Sequence, residues 1–225
     1  MATAILFDVI DTMLDPQPIR ERLAEVFGDP PPFGEWFARL LHASLVATVT
    51  SSYEEFGALA GRALDMVAWR AGHRVTEDER DAILGTIARL PPHPEVPGGL
   101  ERLRSKGFRL ATLTNSTEDV ARKQLDHAGL AEFFDPILSV ETVRRYKPAP
   151  EPYRMASEEL GVPTSEIRMV AAHDWDVWGA MQAGCTAAFV ARGNRPFTMG
   201  KPPEIVGPEL TNVTAAILAR DEPAR

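Results

Sequence analysis

The sequence predicts an α/β protein: a parallel sheet with helices on both faces, and an all-helical block inserted after the first strand. Three observations carry this. Thr3 to Phe7 is apolar on both faces, as a strand buried at the centre of a parallel sheet must be. From Pro16 to about Leu90 the apolar spacing turns helical and no convincing strand occurs. Beyond Pro91 to Gly99, which reads as a Pro- and Gly-rich linker, strand-like and helix-like stretches alternate, the pattern of a βαβ sheet.

The elements follow in order. Within the helical block, Trp36, Leu40, Leu41 and Leu45 fall at spacings that predict one shared helix face. Thr76-Glu77-Asp78-Glu79 has the form of a capping box ahead of Ile83, Leu84 and Ile87. After the linker, Phe108 to Thr114 reads as a strand, with a helix following from about Glu118. Pro136 to Val140 is a short strand, and a helix runs from about Glu151 to Leu160. Ile167 to Ala172 is the next strand, with a helix from about Asp176. The segments TAAFVA and EIV supply further edge strands, and TNVTAAILARD a closing helix. The domain division expected from this is residues 1–14 and 92–225 for the sheet and 15–91 for a helical cap. In an open α/β sheet, ligands bind beyond the carboxyl ends of the strands. Asp8, Thr114 and the residues after Ala172 all fall at that edge, beneath the cap.

Composition narrows the function classes. With 44% hydrophobic and 25% charged residues, the chain has an ordinary globular make-up, enough for a core with a smaller inserted domain. A net charge of −8 argues against nucleic acid as a partner, because phosphate binding shows as a basic surface. No apolar run is long enough to span a membrane, and no basic-then-apolar start marks a signal peptide, so a cytoplasmic setting is expected. The single cysteine, Cys185, excludes an internal disulfide or a Cys-rich metal site. Its place in GCTAAFVA is that of a packed structural thiol.

Four sites stand out: Asp8 with Thr12 in FDVIDT, Thr114-Asn115 in LATLTNS, Lys147 in YKPAPEPY, and Asp176 in AAHDWDVWGA. A carboxylate at a strand end can attack carbon or phosphorus and form an ester or acyl phosphate. A lysine beside it keeps it ionised. Thr114 and Asn115 can donate hydrogen bonds to a carboxylate or a developing oxyanion, and Asp176 can orient the lysine or the hydrolytic water. In this order, over nearly the whole chain, the four sites resemble the haloacid dehalogenase (HAD) superfamily, with its Rossmann-like core and inserted helical cap. The nearer likeness is to the L-2-haloacid dehalogenases (type II). That resemblance implies Asp8 as nucleophile, with Thr12, Thr114, Asn115, Lys147 and Asp176 as its catalytic partners. It places substrate contacts at Trp36, Leu41, Phe56, Tyr153 and Trp175. It further implies hydrolysis of a haloacid or related small organic acid without a cofactor, and a homodimer.

Phosphatases of the superfamily carry a second Asp two residues after the nucleophile, where strand alternation faces it the same way, to protonate the leaving alkoxide. Here that position is Ile10. Halide leaves without a proton, so Ile10 suits carbon–halogen cleavage. Asp11, one place later, has the residue type of a turn. The acid with which phosphatases hold Mg²⁺, four residues before Asp176, is Ala172 here. Asp174 lies at the wrong spacing to replace it, so metal-independent chemistry is expected.

The chain also departs from the dehalogenase pattern. Those enzymes place an Arg directly after the cap Trp to hold the substrate carboxylate, and Phe37 cannot act as a bidentate cation. Arg39 or His42, on the next turn, is the expected replacement. Ile10 occupies a usually aromatic position, Ala171 replaces a Ser, and His173 stands where an Asn is usual. Imidazole can act as a general base near neutral pH, which gives His173 an expected catalytic role. Three readings follow: a 2-haloacid dehalogenase; a HAD hydrolase with an altered substrate, opening a strained ring at a carbon–nitrogen bond or cleaving phosphate esters with Mg²⁺ and Asp11; and a ligand-binding protein that keeps the fold without turnover.

Overall fold

The computed structural model describes residues 2–221. At its centre lies a six-stranded parallel sheet in the order β3-β2-β1-β4-β5-β6. The strands are β1 (Ala4–Phe7), β2 (Arg109–Thr114), β3 (Ile137–Ser139), β4 (Ile167–Ala171), β5 (Thr186–Val190) and β6 (Ile205–Gly207). β1 lies between β2 and β4, with Leu6 in register with both Ala111 and Met169. All four of its residues are buried, which is why the strand is an unbroken apolar run. TAAFVA is not an edge strand as expected: β5 runs inside the sheet between β4 and β6, and Ala187 to Val190 are buried. An apolar run covered on both faces is an interior signature, whereas the sheet's edges here are the three-residue β3 and β6.

Four helices follow β1: α1 (Gln17–Phe27), α2 (Phe33–Val49), α3 (Phe56–Ala71) and α4 (Glu77–Thr86). α2 buries Phe33, Trp36, Leu40, Ser44 and Ala47. Leu41 is only half-buried, and Leu45, expected on the same face as Trp36, is 43% exposed. Nine residues make two and a half turns at 3.6 residues per turn, so Leu45 falls opposite Trp36. α4 begins with the expected capping box: Glu79 N–H donates to Thr76 Oγ1 at 3.2 Å, and Thr76 N–H donates to Glu79 Oε2 at 2.8 Å. Ile83 of that helix is fully buried. The chain leaves and re-enters the sheet region along paired segments. Asp15 N–H donates to Pro91 O at 2.8 Å, and His93 N–H to Met13 O at 2.9 Å.

The remaining helices are α5 (Val96–Ser105), α6 (Glu118–His127), α7 (Pro150–Leu160), α8 (Asp174–Gln182) and α9 (Leu210–Arg220). α5 begins inside the stretch that reads as a linker. Pro97 is tolerated there because the first-turn N–H groups have no intrahelical partner. Gly99 lets α5 approach α9, since a Cβ on it would stand 3.2 Å from Thr214 Oγ1. α8 starts two residues earlier than expected, with His173 at its N-cap, so Asp176 lies in the first turn, where the helix dipole favours a carboxylate.

Gly179 of α8 ties this framework to the site. A Cβ there would lie 2.8 Å from Pro148 O and 2.9 Å from Pro148 Cα, backbone that directly follows Lys147. Gly179→Ala is expected to destabilise the protein by about 1–3 kcal/mol through overpacking, read as a lower urea midpoint. A midpoint equal to that of the unmodified protein would show that the loop carrying Lys147 yields freely.

Candidate active site

Asp8 is the first residue past β1, and its N–H donates to Val170 O of β4 at 3.0 Å. Its side chain meets residues from the turn after β1 and from the loop ahead of α7. Lys147 Nζ donates to Asp8 Oδ1 at 2.8 Å, to Asp176 Oδ2 at 2.6 Å and to Leu113 O at 2.8 Å, so its three protons are all engaged. Thr12 donates to Asp8 Oδ2 at 2.7 Å and accepts from Ala172 N–H at 2.8 Å. Tyr153 donates to Asp176 Oδ1 at 2.6 Å. Asn115 Oδ1 accepts from Lys147 N–H at 3.1 Å, which leaves the amide nitrogen as its remaining donor. Asp8, Thr12, Thr114, Asn115, Lys147, His173 and Asp176 therefore come together as one buried group.

Charge organises the group. Burial opposes ionisation of Asp8, but the Lys147 ammonium and the His173 ring outweigh it and hold the carboxyl below the usual range. Burial likewise works against the charge on Lys147, and the two carboxylates override it, leading with Asp176, so its pKa is raised. Asp176 is shifted upward, by burial first and by the neighbouring Asp8 charge, against the pull of Lys147 and Tyr153. Burial, followed by the Asp176 charge, pushes the Cys185 thiol up to about 12, so that cysteine is a packed thiol and not a nucleophile.

A small cavity opens above Asp8, bordered by Ile10, Phe37, Leu41, Phe56, Thr114, Asn115, Ser116, His173 and Trp175. His173 is sandwiched: its ring stacks on Phe37 at 5.3 Å and on Trp175 at 5.2 Å, and Phe37 stacks in turn on Phe33 at 6.0 Å. His173 Nε2 lies 3.9 Å from Asp8 Oδ2. The two ring-for-polar departures, Phe37 and His173, thus touch each other.

Four of the expected substrate contacts are placed elsewhere. Arg39 pairs with Glu35 at 3.1 Å, a partner it shares with Arg70, and is not among the residues bordering the chamber. His42 is exposed for the same helical reason: it and Arg39 are rotated away from Phe37 and Leu41 on α2. Trp36 is buried in the core, its indole N–H donating to Ala60 O at 3.0 Å. Tyr153 is fully buried behind Asp176 and acts on it rather than on the cavity. Ser116 is an addition, and its position directly after Thr114-Asn115 at a strand end is the signal that could have marked it. Asp11 adopts the turn conformation expected of it, with φ 63°. Among the described residues no three His, Cys, Asp or Glu side chains are grouped to hold a metal ion.

Known proteins of one family resemble this chain. The family model for haloacid dehalogenase-like hydrolases matches residues 2–184. The (S)-2-haloacid dehalogenase of Pseudomonas sp. (strain YL) is 29% identical over 219 residues, covering 95% of this chain and 92% of that one. (S)-2-Haloacid dehalogenase 4A of Burkholderia cepacia is 30% identical over 206 residues, covering 89% and 85%. Among solved structures, the L-2-haloacid dehalogenase of Xanthobacter autotrophicus superposes with a TM-score of 0.88 at 23% identity, covering 98% of this chain and all of that one, a likeness of fold.

The depressed pKa of Asp8 has a consequence for stability. Its ionisation contributes stability that is fully present above the unfolded value of about 3.9 and is lost as pH falls through the lower folded value. The difference in unfolding free energy between the protein and its Asp8→Asn variant should therefore stay constant from about pH 7 to about pH 5 and change only below about pH 4. Urea titrations across that range measure it. A difference that does not change below about pH 4 would mean that the charge on Asp8 contributes no such stability.

Proposed function

The chain belongs to the haloacid dehalogenase-like hydrolases, and from that premise we propose that it cleaves the carbon–halogen bond of a small 2-haloacid through an ester on Asp8. The observation that carries the reading is the Lys147 ammonium, fixed 2.8 Å from Asp8 Oδ1 and holding the carboxylate ionised at the floor of a small cavity. Asp8 attacks the halogen-bearing carbon. A carbon–oxygen bond forms, the carbon–halogen bond breaks, and halide departs with its electron pair. Water then adds to the ester carbonyl carbon while His173 takes its proton. Charge collects on Oδ1 beside Lys147 in the tetrahedral intermediate. Collapse expels the product alkoxide, which recovers the proton from His173 as a hydroxy acid. The restored Asp8 carboxyl releases the second proton to solvent.

Asp176 and Tyr153 hold Lys147 at its station, and Thr114, Asn115 and Ser116 offer donors to the substrate. Residues 15–91 act as a cap, since Phe37, Leu41 and Phe56 come from that block and roof the chamber. The apolar Ile10 borders the chamber where a phosphatase needs a proton donor, while the Asp11 carboxylate pairs with Arg195 at 2.7 Å. Both features support displacement of halide over phosphate-ester cleavage. Among the described residues no helix is long and apolar enough to cross a membrane. The same reading includes a homodimer and a cytoplasmic setting, the former tested by size-exclusion chromatography.

Halide release from chloroacetate, bromoacetate and 2-chloropropionate without added Mg²⁺ tests the activity. Asp8→Asn is expected to lower kcat by at least about 10³-fold while leaving the fold intact. Folded Asp8→Asn protein with undiminished halide release would overturn the mechanism. His173→Ala is expected to slow ester hydrolysis more than displacement. It should give a burst of about one halide per subunit and a mass gain on the peptide containing Asp8. Equal slowing of both steps, with no burst, would remove His173 from the second step.

A further inference from the structure

A second, larger and more open cavity adjoins the Asp8 chamber and shares Ile10, Phe37, Leu41, His173 and Trp175 with it as a common wall. Its outer side is charged. Arg20 reaches it from α1, Arg195 from the segment after β5, and Asp11 from the turn after β1. Arg195 Nη1 is 2.7 Å from Asp11 Oδ2. The Arg20 guanidinium carbon sits over the Phe33 ring, 3.8 Å from its centroid, and among the described residues Arg20 forms no ion pair. Burial lowers the pKa of Arg20, Asp11 raises it and Arg195 lowers it again. It stays charged, so it presents a partly desolvated cation with capacity for an anion.

An acid substrate needs such a cation. The whole chain carries −8, and the chamber floor holds two carboxylates against one ammonium, a field that repels an incoming carboxylate. The chamber wall has Phe37 at the position where a cation would offset this. The Arg20 guanidinium, which forms no ion pair among the described residues, lines the cavity on the other side of that wall.

We propose that the outer cavity is a binding vestibule for small carboxylates, in which Arg20 receives the anionic end of the substrate and Arg195 leaves Asp11 to join it. This rests on the reading of the chain as an enzyme of haloacids, and it names where their charge is met before they pass into the Asp8 chamber. An approaching carboxylate competes with Asp11 for Arg195, whose side chain is 43% exposed and can turn outward, although Asp11 on its side is only 10% exposed and resists losing its partner. The planar guanidinium of Arg20, already oriented by Phe33, matches a carboxylate in bidentate fashion.

Propionate, which carries the carboxylate but no leaving group, separates this proposal from turnover. Calorimetric titration of the purified protein is expected to show saturable propionate binding that Arg20→Gln weakens at least about tenfold and Arg20→Lys partly restores. Arg195→Gln is expected to weaken it as well, and Asp8→Asn to leave it in place. Affinity unchanged by Arg20→Gln, or no propionate binding at all, would overturn the vestibule. Loss of binding in Asp8→Asn with retention in Arg20→Gln would also overturn it, by placing the carboxylate in the inner chamber. Bromide binding as tightly as propionate would refute a carboxylate site in favour of a general anion site. Because no bond is cleaved in the titration, a failure here leaves the dehalogenase reading intact, and an absence of halide release leaves the vestibule intact.

Discussion

A single buried ammonium joins two carboxylates at the head of the sheet, and much of the molecule serves to make that arrangement tolerable. Lys147 is 1% exposed and lies between Asp8 and Asp176. Removing ions from water costs several kcal/mol apiece, and mutual attraction offsets this only where the remaining hydrogen-bonding capacity is filled. Here it is filled: Leu113 O takes the third ammonium proton, Thr12 donates to Asp8, and Tyr153 donates to Asp176. Asp8 is held below the usual carboxylate range and Asp176 is shifted above it, so the nucleophile is the more readily ionised of the two. The sheet order explains how such distant residues meet. β1 sits between β2 and β4, so Asp8, Leu113 and the start of α8 lie side by side at the carboxyl edge.

Much of this was legible in the sequence because it rests on short-range rules. The apolar run before Asp8, the capping box at Thr76, the strand end at Thr114 and the helix start carrying Asp176 each follow from local pattern and from where parallel sheets place their ligands. What was not legible depends on direction. Arg39 and His42 are near Phe37 in the chain but are turned away from it by the helix, and Trp36 spends its indole N–H on Ala60. Tyr153 is close to Asp176 rather than to the cavity because α7 and α8 pack against each other, a tertiary fact. Arg20 and Arg195 carry no local signature at all. Only the folding of α1 and of the segment after β5 toward one turn brings them together.

The departures at positions 37 and 173 amount to one structural change. Phe37 and His173 stack, and Trp175 and Phe33 extend the column on either side, so an aromatic wall stands where a cation and an amide would make a polar one. Such a wall fixes the orientation of the imidazole relative to Asp8 and keeps the chamber apolar, which strengthens the Lys147 interaction within it.

The claim at the centre of this account is that Asp8 is covalently esterified and that water attacks the ester at its carbonyl carbon. One turnover in H₂¹⁸O, with enzyme in excess over bromoacetate and mass spectrometry of both the Asp8 peptide and the product, tests it most directly. Heavy oxygen in the Asp8 carboxylate and ordinary oxygen in the released hydroxy acid is the predicted result. Heavy oxygen in the product with Asp8 unlabelled would mean that water attacks the substrate itself, and would contradict the account.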